Sequence, residues 1–362
     1  MNAKSAALIA CAALTLVSSA VHGALVQRTF VAANGVDSDP CSIAAPCRSF
    51  GTAIGKTVAG GEVIVQDSAG YGIVTITKSV SIIAPTGVYA GISVFGGQTG
   101  VTVNGAGIVV ALRGLSINGV AAGSGNGIHL VQASRLRIES CVVAGLASTG
   151  ILHDAAGAEL VALDTIVRDN GTGIAISGDV NVVLDHLRVE HNAGDGLNVS
   201  ASAAVARLDI RNSVFSHNGL SGVAAFIPSG TALTEVVIED SAISQNGVDG
   251  IFAGGISGGF LVVTLRRNSI AGNGSAGVSA FSGGGSGVAE VHATENTFLR
   301  NLLTQTKADG SPVRILLSRN VFAYAASSMS FYTVNGGETI SWTDNVGYQT
   351  YFGTAISTQP RF

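Results

Sequence analysis

Val189-Glu-His191-Asn192-Ala-Gly-Asp195-Gly196-Leu197 returns as Phe215-Ser-His217-Asn218-Gly-Leu-Ser221-Gly222-Val223, and again as Ile243-Ser-Gln245-Asn246-Gly-Val-Asp249-Gly250-Ile251. Each copy holds an apolar residue, an Asn three positions on, then a Gly and an aliphatic residue. Asn170/Gly173/Ile174 and Asn273/Gly277/Val278 extend the series in both directions. Self-similarity at roughly 20 to 30 residues, without helical apolar spacing, is the mark of a solenoid built of strands.

Taking each turn Asn as zero exposes the columns. Ten before it stand Leu160, Val182, Leu208, Val236, Val263 and Val291; eight before, Ala162, Leu184, Ile210, Ile238, Leu265 and Ala293. Three before are Val167, Val189, Phe215, Ile243, Ile270 and Phe298, and Ile151, Ile174, Leu197, Val223, Ile251 and Val278 follow each Gly. Period-two alternation around the first two columns predicts a short strand whose inward face repeats coil after coil, at a spacing of roughly 4.8 Å. Gly127, Gly150, Gly173 and Gly196 lie 23 residues apart, and the next intervals are 26, 28 and 27. The extra residues fall in Ile227-Pro-Ser-Gly230, in 254–259 and in 282–287, so one face is expected to carry longer loops.

The composition fits a long, narrow core. Of 362 residues 47% are hydrophobic and 12% charged, with 49 Gly and 6 Pro. A net charge of -4 supplies no basic field, so nucleic acid is not an expected partner.

Lys4, the apolar run from Ala6 to Val17 and the small residues Ser18, Ser19, Ala20 and Gly23 have the order of a secretory signal, expected over residues 1–23. The apolar stretch before Cys11 is too short for a lipoprotein signal. No later segment offers a bilayer-spanning run, and the chain is expected to be secreted, periplasmic or held at the cell surface. In such an oxidising compartment Cys41 and Cys47, which bracket Ser-Ile-Ala-Ala-Pro46, are expected to form a disulfide that stabilises by roughly 2 kcal/mol. Cys141 is expected to be a buried small residue.

These repeats resemble those of right-handed parallel β-helix proteins, the pectin-lyase-like architecture, over residues 61–320. The stretch from Phe30-Val-Ala-Ala-Asn34 to Ser81-Ile-Ile-Ala-Pro85 is similar to the opening of secreted bacterial β-helix proteins of unassigned activity. The resemblance implies an all-β right-handed parallel β-helix solenoid and leaves function open, because lyases, hydrolases, epimerases, phage tailspikes and adhesins share it. Both ends need covers. Phe50, Ala53, Ile54 and Val58 follow helical spacing from Ser49, so residues 24–60 are expected to form an N-terminal cap. Tyr324, Phe331, Tyr332, Trp342, Tyr348, Tyr351 and Phe352 concentrate the large aromatics in 321–362, as a C-terminal cap or a glycan-stacking surface.

Glycosidic hydrolysis needs two carboxylates at a fixed separation. The β-helix polysaccharide hydrolases supply them around a Gly-His-Gly element, and neither that element nor a consecutive Asp pair occurs here. Seven before the turn Asn stand Asp185, Arg211, Glu239 and Arg266, which predict a solvated charge ladder. Val183-Leu-Asp185-His186 resembles an apolar-Asp-His element of pectate-lyase-like enzymes. Under that alternative Arg211 or Arg188 serves as base, and Ca²⁺ is the cofactor that nearby carboxylates would have to hold. His191 and His217 share one column and are expected to be exposed turn residues, since two imidazoles alone make an incomplete metal site. His153, next to Asp154, is expected inside at the core edge.

Phe226, Phe252 and Phe281 take outward positions after their glycines, where they either stack on sugar rings or anchor the Gly-rich loops. With Tyr332 and Trp342 they are the glycan-binding candidates. The expected function is a long surface that binds a polysaccharide or another cell-surface macromolecule without catalysis, cofactor or metal. A polysaccharide lyase or glycoside hydrolase with an atypical site is the alternative.

Overall fold

The computed structural model describes residues 25–347 apart from 179, 201–204, 228–232, 256–257 and 324–329, together with strands at 351–353 and 357–359. The expected signal segment, Tyr324, Tyr348 and the side chains of Tyr351 and Phe352 lie outside the described residues.

Among the described residues the strands fall into three parallel sheets of 14, 12 and 12 strands, here sheets A, B and C. Each coil visits them in the order C, A, B, as in Leu197–Ser200, Val205–Arg211 and Val214–Ser216. The inward columns read from the sequence are in register: Leu208 pairs with Val236 and then Val263, and Ile210 with Ile238 and then Leu265. Phe215, Ile243 and Ile270 stack on sheet B, as do Leu197, Val223 and Ile251 on sheet C. All of these side chains are buried.

The B-to-C turn is closed by the motif Asn. Asn170, Asn192, Asn218, Asn246, Asn273 and Asn301 are buried; from Asn192 on, each Oδ1 accepts from the preceding Asn, as Asn218 Oδ1 takes the N–H (3.2 Å) and Nδ2 (2.9 Å) of Asn192, while Asn170 Oδ1 accepts from Leu146 N–H (3.0 Å). The following Gly is required because a Cβ at Gly196 would lie 2.6 Å from the Gly222 carbonyl and 2.7 Å from Asn218 Nδ2. A second ladder closes the A-to-B turn, running Ser213, Ser241, Asn268, Asn296, Asn320 and Asn345, with backbone N–H donors at 2.8–3.1 Å. Its first four members occur in the sequence five positions before the local turn Asn, a column whose change from Ser to Asn hides it from a search for one residue type.

At the N-terminal end, helix Phe50–Lys56 buries Phe50, Ala53 and Ile54 as the spacing predicts, with the Ser49 side chain accepting from Thr52 N–H. Val58 falls outside it. Thr57 takes extended backbone (φ -87°, ψ 142°), so Val58 belongs to the strand Thr57–Val65 instead. The helix packs against strands Val26–Val31, Thr57–Val65 and Val74–Ile76, the first of sheets A and C. Cys41 and Cys47 are buried and joined, with Cα atoms 4.6 Å apart. Near the other end Phe331 belongs to the core, edge-on to Phe322 with ring centroids 5.0 Å apart.

Candidate functional site

The outward face of sheet A neutralises itself. Arg135 pairs with Glu159 at 2.5 Å, Arg207 with Glu235 at 3.0 Å, Arg266 with Glu239 at 3.5 Å and Arg314 with Glu338 at 3.1 Å. Asp185, Arg211, Glu239 and Arg266 stand in one register, as expected. The pairs do not step evenly along that file, however. Arg211 turns to Asp209, two residues back on the same face of its own strand, while Asp185 accepts from Asn212 Nδ2 and meets His186 Nδ1, both at 2.9 Å. The Asp209 hydrogen bonds, backed by its charge, push the Arg211 pKa upward, which opposes any role as a base.

The apolar-Asp-His element does not fit calcium. The Asp185 carboxylate is engaged by Asn212 and His186, and among the described residues no three of His, Cys, Asp and Glu gather closely enough to hold an ion. Calcium takes six to eight oxygens. His153 is fully buried, its ring between the Ala158 carbonyl and the Ala155 N–H, and burial pushes its pKa down. Asp154 pairs instead with His129, at 3.0 Å. Burial pushes the Cys141 thiol up to about 11, so it is no nucleophile at neutral pH.

Sheet C presents a different face. One outward column runs Ala175, Asn198, Ala224, Phe252, Ser279, Lys307, Tyr332; its neighbour runs Ser177, Ser200, Phe226, Gly254, Phe281, Asp309, Val334. Phe226, Phe252, Phe281 and Tyr332 therefore share one face, all half-buried. The Phe252 ring lies over Gly254, where a Cβ would sit 2.7 Å from its Cε1, so the missing side chain makes room for the ring at the position that pairs with Phe226 and Phe281. Trp342 is not part of this group. It points outward from sheet A, because Thr339 and Ser341 take the inward positions of its strand.

The aromatic strip leads to charged groups. Lys307 Nζ lies 3.1 Å from Asp309 Oδ2, and Lys307 and Tyr332 line a cavity of about 290 Å³ with Ser275, Leu303 and Thr304. On the turn below, Asp249 is buried and accepts from Ala276 N–H at 2.8 Å. Burial raises its pKa against the opposing effects of the Ala276 and Ser275 hydrogen bonds and the Lys307 charge. Sequence reading passed over Asp249, Lys307 and Asp309. The signal was there for Lys307, which stands two after Gln305, the residue that replaces the motif Gly and so breaks the pattern that aligned the earlier coils.

Solved structures of the same architecture include the A-module of the mannuronan C-5 epimerase AlgE4 from Azotobacter vinelandii, with 16% identity, a TM-score of 0.57 and coverage of 84% of this chain and 89% of that one. The Dettilon tailspike protein (15% identity, TM-score 0.53, 92% and 68% covered) and pectate lyase Pel9A (15%, 0.50, 93% and 78%) are similar in the same way. At these identities the likeness is one of fold. No curated protein matches the sequence. The family described as right handed beta helix region matches at residues 62–208 and 99–262, which together span more than half of the chain. With the three parallel sheets and their asparagine ladders, that match makes the chain a member of the right-handed β-helix family.

Proposed function

We propose that the protein is exported and binds an extended polysaccharide along the outward face of sheet C, with Phe226, Phe252, Phe281 and Tyr332 as the stacking platform. The observation that carries this is the aromatic strip itself, spread over successive coils beside Gly254. Flat apolar rings complement the faces of sugar rings, and their spacing along the rod suits a chain running parallel to the axis. Lys307 and Asp309, on the coil between Phe281 and Tyr332, would fix its position through polar contacts. Pectate lyase and mannuronan epimerase, two proteins of the same fold, bear the names of polysaccharide-directed enzymes.

Titration of the purified protein with uronate and neutral polysaccharides tests the proposal. Phe252→Ala is expected to weaken binding by about fivefold to tenfold, the worth of one aromatic contact. Trp342→Ala, on another sheet, is expected to leave binding unchanged. Equal loss in both variants, or no binding to any glycan, refutes the assignment of this face.

One observation favours catalysis as a second reading: the cavity between Lys307 and Tyr332 sits beside a carboxyl group whose pKa is raised. Release of an unsaturated uronate absorbing in the ultraviolet, or of new reducing ends, with or without added Ca²⁺, by the wild type and not by Lys307→Ala, establishes it over simple binding.

A further inference from the structure

The B-to-C turns carry a second ordered array, independent of the glycan face. The residue before each ladder Asn takes left-handed backbone: Asp169 (φ 57°), His191 (57°), His217 (55°) and Gln245 (55°). Backbone bonds from Asp169 N to Glu190 O, His191 N to Ser216 O and His217 N to Ser244 O hold these positions in step. The same conformation at the same place in each coil sends the side chains off in one direction, as a file of carboxylate, imidazole, imidazole and carboxamide. The two imidazoles are exposed and parallel, with centroids 4.9 Å apart and planes 5° apart. The fold does not demand histidine here, because Gly272 and Arg300 fill the same position in later coils, also at positive φ. The other described histidines are committed elsewhere: His129, His186 and His292 to carboxylates, and His153 to a backbone carbonyl.

We propose that His191 and His217 form a two-point anchor for a divalent transition-metal ion of the Cu²⁺, Ni²⁺ or Zn²⁺ class. Histidines at i and i+4 of a helix, with Cβ atoms roughly 5–6 Å apart, serve as shared ligands of one zinc ion. Adjacent coils set the same side-chain origins roughly 4.8 Å apart. In the stacked arrangement the ring planes are parallel. Rotation about the exposed side-chain bonds turns one nitrogen of each ring toward a common ion without moving the backbone. Imidazole suits these metals, and two protein ligands leave coordination positions for water or an incoming donor. Access is open on that side: a shallow groove of about 520 Å³ runs past Gly119, Gly145 and Gly171 to Asp169 and Ala193, on the coil of His191.

Titration of the untagged full chain with CuSO₄, NiCl₂ or ZnCl₂, followed by calorimetry and by electron paramagnetic resonance for copper, tests the anchor. The expected result is one high-affinity equivalent, tightest for Cu²⁺, with two coordinating nitrogens. His191→Gln and His217→Gln, which place in each coil the residue already tolerated at position 245, are each expected to weaken binding by about tenfold or more, because either change ends chelation. His292→Gln is expected to leave it unchanged, and unaltered thermal melts without metal show that the variants fold. Binding that survives either substitution, that follows His292, or that does not occur overturns the proposal.

Discussion

Asn246→Ala probes what holds one coil on the next. The Asn246 side chain is buried and makes four hydrogen bonds: Oδ1 accepts from Asn218 N (3.1 Å) and Asn218 Nδ2 (3.0 Å), and Nδ2 donates to Phe215 O (3.1 Å) and Asn273 Oδ1 (2.9 Å). Truncation strands two buried donors of Asn218, its N–H and one amide hydrogen, and takes one partner from the Phe215 carbonyl. Each stranded donor costs about 1–3 kcal/mol, so the expected loss is about 2–6 kcal/mol. Urea unfolding followed by circular dichroism measures it, with Asn181→Ala on the exposed face of sheet A as a control expected to stay within about 0.5 kcal/mol of the wild type. A loss below about 1 kcal/mol for Asn246→Ala refutes the reasoning, because it means that water or a local shift satisfies the stranded groups.

Ile238→Asp, at a fully buried position between Ile210 and Leu265, is expected to destabilise by several kcal/mol, since the carboxylate would meet no partner; an unchanged unfolding midpoint contradicts the inward register. Arg211→Ala removes an exposed pair and is expected to shift neither the thermal midpoint nor glycan affinity, whereas loss of a catalytic activity with the fold intact would make Arg211 a lyase-type base. Asp249→Asn is expected to raise the thermal midpoint at pH 7, because burial lifts the folded-state pKa of Asp249 above its ordinary value of 3.8. The folded state then holds the proton longer than the unfolded state, so this group's contribution is full below 3.8 and is lost as pH rises through the folded pKa; the gain from Asn should fade as pH falls toward 4, and a gain that grows on acidification contradicts the sign.

The fold was legible because the solenoid repeats one packing problem. Leu208, Val236 and Val263 must each fill the same place, so their shared chemistry survives in a single sequence. The Asn ladder was legible for the same reason. The second ladder was not, since Ser213, Ser241 and Asn268 do one job with two side chains. Surface chemistry is less constrained still. The register of the charged file was correct, yet Arg211 chose Asp209 over its neighbours on adjacent coils, because a long exposed side chain selects among partners that differ little in energy. Trp342 was grouped with Tyr332 by nearness in sequence, although ten residues carry the chain from one sheet to another.

The placement of charge and aromatics singles out sheet C. On sheet A, Arg135, Arg207, Arg266 and Arg314 each meet a carboxylate, so an incoming ligand must break an ion pair for each of these charges it engages. Along sheet C the Phe strip offers apolar faces whose desolvation favours association. Asp249 sharpens the contrast. Its bond to the next coil could be made by an amide, as Asn126 shows by accepting from Thr149 N–H at the corresponding place, yet here a carboxyl is buried at a cost in neutral solution. The charge of Lys307, on the same face as the aromatic strip, acts on it and opposes the rise in its pKa. If Asp249 serves the turn alone, Asp249→Asn stabilises the protein and leaves glycan affinity unchanged. If its charge positions Lys307, the same substitution stabilises and weakens binding to acidic glycans more than to neutral ones, and the two measurements on one variant separate a structural carboxylate from a functional one.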